Sequence, residues 1–184
     1  MKVLRNIASQ LHVYIIWLIL SVVIWGFVFT HVTDAPAEKK VVLFADVYAC
    51  RELELELELE KSMPDGIRMI RTHSFGYVVF GDRELLGADL YLIPLSEAER
   101  YLPSFLPLDS AALPWAEDEL WYWEGVPYGV RMRPAESFLQ YEAPGEARED
   151  FALFFGVNSV HAASFRGSGD DAALAVARSL YGLD

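Results

Sequence analysis

The chain has one cysteine, Cys50, so no disulfide can form within it and the fold must rest on a packed core. Positive charge is scarce: 15 Lys and Arg stand against 27 Asp and Glu, and two of the fifteen, Lys2 and Arg5, lie in the first ten residues. Residues 34–184 carry thirteen basic and twenty-seven acidic side chains, a net of −14. Such a surface repels phosphate backbones and anionic headgroups, which excludes nucleic acid as a partner and a flat seat on the bilayer. Solubility accounts for that charge, and a cationic ligand or partner would also suit it. Catalytic signatures are missing too. There is no G-x-S-x-G elbow, and Asn158-Ser159-Val160-His161 sets Ser and His too close to face each other as nucleophile and base on regular structure. His73 and His161 have no Cys or carboxylate at metal-ligand spacing, and no glycine-rich phosphate loop occurs. Gly167-Ser168-Gly169 reads as a loop and cap. The expectation is a non-enzymatic protein without catalytic residues, cofactor or metal.

One long stretch lacks charge altogether. Leu11–Val32, LHVYIIWLILSVVIWGFVFTHV, runs for twenty-two residues without Asp, Glu, Lys, Arg, Pro, Asn or Gln. At about 1.5 Å per residue it is long enough to cross a hydrocarbon core of about 30 Å. Ala35-Pro36-Ala37 has the small residues of a signal-peptidase site, but secretory apolar segments run about 7–15 residues, so an uncleaved anchor is the expectation. Val47-Tyr48-Ala49-Cys50 lies too far downstream to serve as a lipoprotein box. Lys2 and Arg5 before the run favour a cytoplasmic N-terminus over 1–10, a single-pass span over 11–32, a linker over 33–40 and an extracytoplasmic domain over 41–184. His12 and His31 fit interfacial positions at its two ends.

The remainder reads as alternating strands and helices. Val41–Val47 is an apolar, β-branched strand broken only by Asp46. Arg51–Lys61, RELELELELEK, alternates like a half-exposed strand, yet Leu and Glu are helix formers. A helix is expected, with Leu53 and Leu57 on one side and Leu55 and Leu59 nearly opposite. Ile67–Thr72 and Gly87–Pro94 read as strands, and Tyr77–Phe80 as a short strand or a helix start. Ser96 and Glu99 form a capping box that starts a helix through about Leu102. Pro103, Pro107 and Pro114 predict an extended stretch. Leu120–Trp123 and Val126–Met132 flank a Glu124-Gly125 turn as a hairpin. Phe151–Val157 is a last buried strand, and Asp170–Leu180 a helix with Ala173, Val176, Ala177 and Leu180 on one face. This order predicts a layered α/β domain with a mixed sheet, preceded by one transmembrane helix.

Three features in sequence carry a resemblance. A buried strand, an acidic helix and Pro64-Asp65-Gly66-Ile67 lead into a second strand. Ala88-Asp89-Leu90-Tyr91-Leu92-Ile93-Pro94 is followed by Ser96-Glu97, and Glu124-Gly125-Val126-Pro127-Tyr128-Gly129-Val130 comes later. In this order they resemble the opening lobe of the bacterial type-2 periplasmic solute-binding proteins, the extracytoplasmic receptors of ABC importers, over about two thirds of the chain. Those proteins hold ligand between two lobes, whereas 55 residues follow Gly129 here, so the resemblance implies a single lobe. It implies a small solute as ligand and a transporter or other envelope protein as partner, the alternative being an interaction module that keeps the scaffold without the ligand.

Candidate binding residues come from two places. Open α/β sheets bind ligands at the loops after their parallel strands, here at Tyr48, at Ser74, Phe75 and Tyr77, and at Ser96. Trp115, Trp121, Tyr122, Trp123 and Tyr128 form an aromatic group able to stack on a sugar or anchor a partner. Alternation places Trp121 and Trp123 on one face of the hairpin and Tyr122 on the other.

Overall fold

Strands as uniformly apolar as VVLFA and FALFF require cover on both faces. The structure is a computed structural model describing residues 2–74, 87–109 and 113–183, with the side chains of 2–10, 12 and 30–33 excepted. It divides into two compact units, Met1–Pro36 and Ala37–Asp184. The first is the helix α1 (Lys2–Thr33), whose described large apolar side chains, Trp17, Leu18, Trp25 and Phe27 among them, are exposed. Among the described residues no helix is long and apolar enough to cross a membrane. The side chains of α1 are described without a break only over 13–29, about 25 Å of helix. The side chains of His12 and His31 lie outside the described residues.

The second unit is an α/β domain built on a six-stranded mixed sheet. Its elements are β1 (Lys40–Ala45), β2 (Ala49–Cys50), α2 (Glu52–Glu60), β3 (Met69–Ser74), β4 (Leu90–Pro94) and α3 (Leu95–Tyr101). Then follow β5 (Leu120–Trp123), β6 (Val126–Arg131), β7 (Leu139–Gln140), β8 (Phe151–Phe155), α4 (Ala163–Arg166) and α5 (Ala172–Tyr181). The strand order is β3-β1-β4-β8-β6-β5, with β2 and β7 paired separately. β1 runs parallel to both β3 and β4, and the β4–β8, β8–β6 and β6–β5 pairs are antiparallel.

Two cores form on the two faces of this sheet. Val41, Leu43, Ala45, Leu90, Leu92, Leu153 and Phe155 point toward α2 and α5, meeting Leu55, Leu59, Val176 and Leu180. The alternate residues Phe44, Tyr91, Ile93, Ala152 and Phe154 point the other way, onto Ala98 and Phe105. Phe105 stacks on Phe154 with centroids 4.2 Å apart. Burial of both sets explains the lack of a polar face in β1, β4 and β8.

The ambiguous Arg51–Lys61 segment is helical, and its leucines divide as the helical reading requires. Leu55 and Leu59 are 0% and 1% exposed, whereas Leu53 and Leu57 are 68% and 55% exposed. The hairpin turn has Glu124 at φ 47° and Gly125 at φ 81°, the left-handed pair that matches strand twist. The expected Ser96–Glu99 capping box does not form: α3 begins at Leu95 with Pro94 as N-cap, so Ser96 already sits inside the first turn. β4 begins at Leu90 rather than Gly87, and β1 ends before Asp46. Tyr77–Phe80 lies outside the described residues. The short β2–β7 pair and α4 have no signature in the sequence.

Candidate functional site

β1 lies between β3 and β4, so the chain leaves it to one side through α2 and returns to the sheet on the other. Loops part at the carboxyl end of such a strand and leave a crevice. There Asp46 follows β1, Pro94 ends β4, and the segment from Tyr141 to Phe151 arches over. Together they enclose a cavity of about 260 Å3, lined by Asp46, Tyr48, Tyr141, Glu142, Glu146 and Glu149 among others.

Three of its four acids are already engaged. Glu142 Oε1 accepts from Arg133 Nη2 at 2.6 Å and from the Glu149 N–H at 3.1 Å, and these bonds hold its carboxyl below the usual range. Glu146 accepts the Ala143 N–H at 3.1 Å, and Glu149 the Ser96 N–H at 3.3 Å. Asp46 differs. Its own N–H donates to the Leu92 carbonyl at 2.8 Å, but among the described residues its carboxylate has no hydrogen-bond or ion-pair partner. Burial, reinforced by Glu97 and Glu149 and opposed by Arg100, pushes this carboxyl from 3.8 up to about 6. A half-buried carboxylate of that kind gains from a cation placed beside it.

A second cavity, about 600 Å3, adjoins the first through Tyr141, Glu142 and Glu146 and opens over Cys50, Arg51 and Arg148. It is the larger of the two, but its charges are spent internally: Arg133 on Glu142, Arg148 on Glu136, Arg51 on Glu54. Arg133 also lies over the rings of Tyr141 and Phe151 at 5.1 and 5.3 Å. The Tyr141 hydroxyl donates to the Pro134 carbonyl. Burial, aided by Glu52 and Glu56, pushes the Cys50 thiol up to about 12, leaving it protonated and unreactive.

The expected binding residues separate into groups. Tyr48 lines the Asp46 crevice and is exposed. Ser96 borders it, its N–H held by Glu149. Ser74 is buried, and both its N–H and its hydroxyl donate to Glu52 at 2.9 Å, so it serves the α2–β3 junction. Phe75 and Tyr77 lie outside the described residues. Trp121, Trp123 and Tyr128 belong to the hairpin β5–β6. The pairing directions put its turn at the opposite end of the sheet from Asp46. Trp121 stacks on Trp123 with centroids 6.1 Å apart and meets Phe154 edge-on at 5.4 Å. Both indoles are half-buried, Tyr128 packs against the core, and Tyr122 on the other face is exposed. Trp115 is buried.

Ser159 and His161 prove to be neighbours in a buried network rather than a nucleophile and its base. Ser159 Oγ donates to Asp89 Oδ1 at 2.6 Å, and Asp89 Oδ2 accepts the Val42 N–H at 2.9 Å. The ring of His161 turns away to Asp170 and Ala37. Among the described residues no group of His, Cys, Asp and Glu is arranged to hold a metal. Reading the sequence by motif passes over Asp46, Glu142, Glu146 and Glu149; the one visible signal is an acid interrupting the apolar run VVLFADV. No known protein family, curated protein or solved structure matches the chain.

Proposed function

We propose that this chain is a membrane-anchored extracytoplasmic domain, non-enzymatic, designed like one lobe of a solute-binding protein and serving or accompanying an ABC-type transporter. Its ligand is a small cationic solute such as an amine, held at Asp46. One observation carries this reading: the half-buried Asp46 carboxylate stands at the crevice between β1 and β4 without a partner among the described residues. Tyr48, exposed, lines the same cavity and supplies an aromatic ring that favours an ammonium group. The anchor rests on the uncharged run 11–32 and on the exposed apolar side chains of α1.

The test is a thermal-shift and calorimetric screen of the full chain in detergent against polyamines, amino acids and sugars. Amines raise the melting temperature, neutral sugars leave it unchanged, and Asp46→Asn abolishes the amine response. An amine response that survives Asp46→Asn, or none at all, sinks the reading.

A second reading draws on a different region. Tyr122 is 42% exposed on the hairpin that ends the sheet, an aromatic side chain suited to anchoring an envelope protein. If that hairpin is the working surface, Tyr122→Ala weakens capture of the transporter partner while Asp46→Asn leaves it intact.

A further inference from the structure

His161 is fully buried, and both nitrogens of its ring meet acceptors. Nδ1 lies 2.7 Å from Asp170 Oδ1, and Nε2 lies 2.9 Å from the Ala37 carbonyl oxygen. A carbonyl oxygen has no proton to give, so Nε2 must carry one. Asp170 Oδ1 also accepts the Ala172 N–H at 3.0 Å, so it is an acceptor as well, and Nδ1 must carry the other. A neutral imidazole has a single N–H and cannot satisfy both contacts. The geometry therefore requires an imidazolium.

The surroundings agree. Asp89, just before β4, and Asp170, from the loop before α5, contribute negative charge, while Arg166 of α4 is turned to the Ser159 carbonyl at 2.5 Å. Lys40 and His73 line the neighbouring cavity with Ala37 and Asp89. Burial opposes the charge on His161, but the Ala37 and Asp170 hydrogen bonds and the two aspartates outweigh it and raise the pKa above 6.5.

The position of the contact gives it a use. Ala37 is the first residue of the second unit, directly after the segment that ends the first. It opens the single turn Ala37–Lys39, and the next backbone bond, from the Arg68 N–H to the Lys39 carbonyl at 2.8 Å, already belongs to the sheet edge. We propose that His161 is a protonation-dependent clip: as an imidazolium it fastens Ala37 to the loop before α5, and loss of one ring proton releases the junction as far as Lys39. Release lengthens the free tether by about two residues, roughly 7 Å of extended chain. The clip stands on the domain's own geometry, and only its effect on reach from a bilayer rests on the anchored reading.

The sign follows from the geometry. The contact is complete at a pH below that of free imidazole and is lost as pH rises through the raised value. The test is nitrogen NMR of the His161 ring in the full chain in detergent micelles, with the Glu38 amide followed through the same titration. Both ring nitrogens carry protons at pH 6.5, the midpoint lies above 6.5, and the Glu38 amide shifts with the same midpoint. Asp170→Asn, at a half-exposed site, lowers that midpoint by about one pH unit. A neutral ring at pH 6.5, or a Glu38 amide that ignores the titration, overturns the clip. Neither result depends on whether an amine binds at Asp46.

Discussion

Asp46 and Asp89 occupy opposite ends of one parallel pair: the first follows β1, the second precedes β4. Burial pushes both carboxyls above their ordinary range. Their surroundings then diverge. Asp89, 5% exposed, accepts Ser159 Oγ and the Val42 N–H and so joins the loop after β8 to β1. Asp46 accepts nothing from the described residues and faces a cavity. A buried charge costs stability unless it is paired. At Asp89 the fold supplies the pairing; at Asp46 the described residues supply none. Identical side chains, both raised by burial, thus separate into a fastened and an unfastened carboxylate, and the hydrogen bonds distinguish them where the pKa direction does not.

The largest expected effect is at Asp89. Asp89→Ala leaves the Val42 N–H and the Ser159 hydroxyl without an acceptor, and at about 1–3 kcal/mol for each unsatisfied buried group the loss is about 3 kcal/mol in urea unfolding. A loss below about 1 kcal/mol would mean that Asp89 fastens nothing, and the comparison would break. Asp46→Asn should act in the opposite direction. The folded carboxyl titrates at about 6 and the unfolded one near 3.8, so between those values the native state holds more protons and stability falls as pH rises. Removing the charge therefore stabilises the protein at pH 7.5 by about 1–2 kcal/mol after allowance for solvent screening, and does nothing at pH 3. Equal melting curves for the two proteins at pH 7.5 would contradict this. Amine affinity sharpens the contrast: below pH 6 it falls about tenfold per pH unit as Asp46 protonates, about 1.4 kcal/mol each, and a pH-independent affinity would place the ligand elsewhere. The smallest effect is at Tyr122, where alanine changes stability by no more than about 0.5 kcal/mol; a larger loss would mark the residue as scaffold rather than surface.

The sequence made the sheet legible where local pattern and packing coincide. Phe151–Phe155 is apolar throughout because both faces are covered, and Glu124-Gly125 admits the backbone its turn adopts. Arg51–Lys61 was the hard case, since a period of two fits a strand and every other residue is leucine. Composition favours a helix, and Leu55 and Leu59 seat it on the core while Glu52 and Glu56 bind β3. The Ser96–Glu99 motif misled because Pro94, as N-cap, had already started the helix one residue earlier. The site was less legible still. Tyr48 and Ser96 follow from topology, but the state of Asp46 depends on its burial and on Glu97 and Glu149, which no local window contains. The partners of His161, nine and 124 residues away, are equally invisible until the chain is folded.

The central position of β8 has a consequence for how the domain is made. Among the described strands the hairpin β5–β6 joins the sheet through β8 alone, and β8 comes last of them in sequence. A nascent chain that has already presented β1, β3 and β4 holds an open β4 edge until Phe151–Phe155 arrives, with the aromatic hairpin waiting unattached. Closure at this step joins strands far apart in sequence, which makes it slow and exposes unpaired strands during synthesis. The sheet therefore closes only once β8 has been made, and a chaperone has most to protect in the interval between β6 and β8.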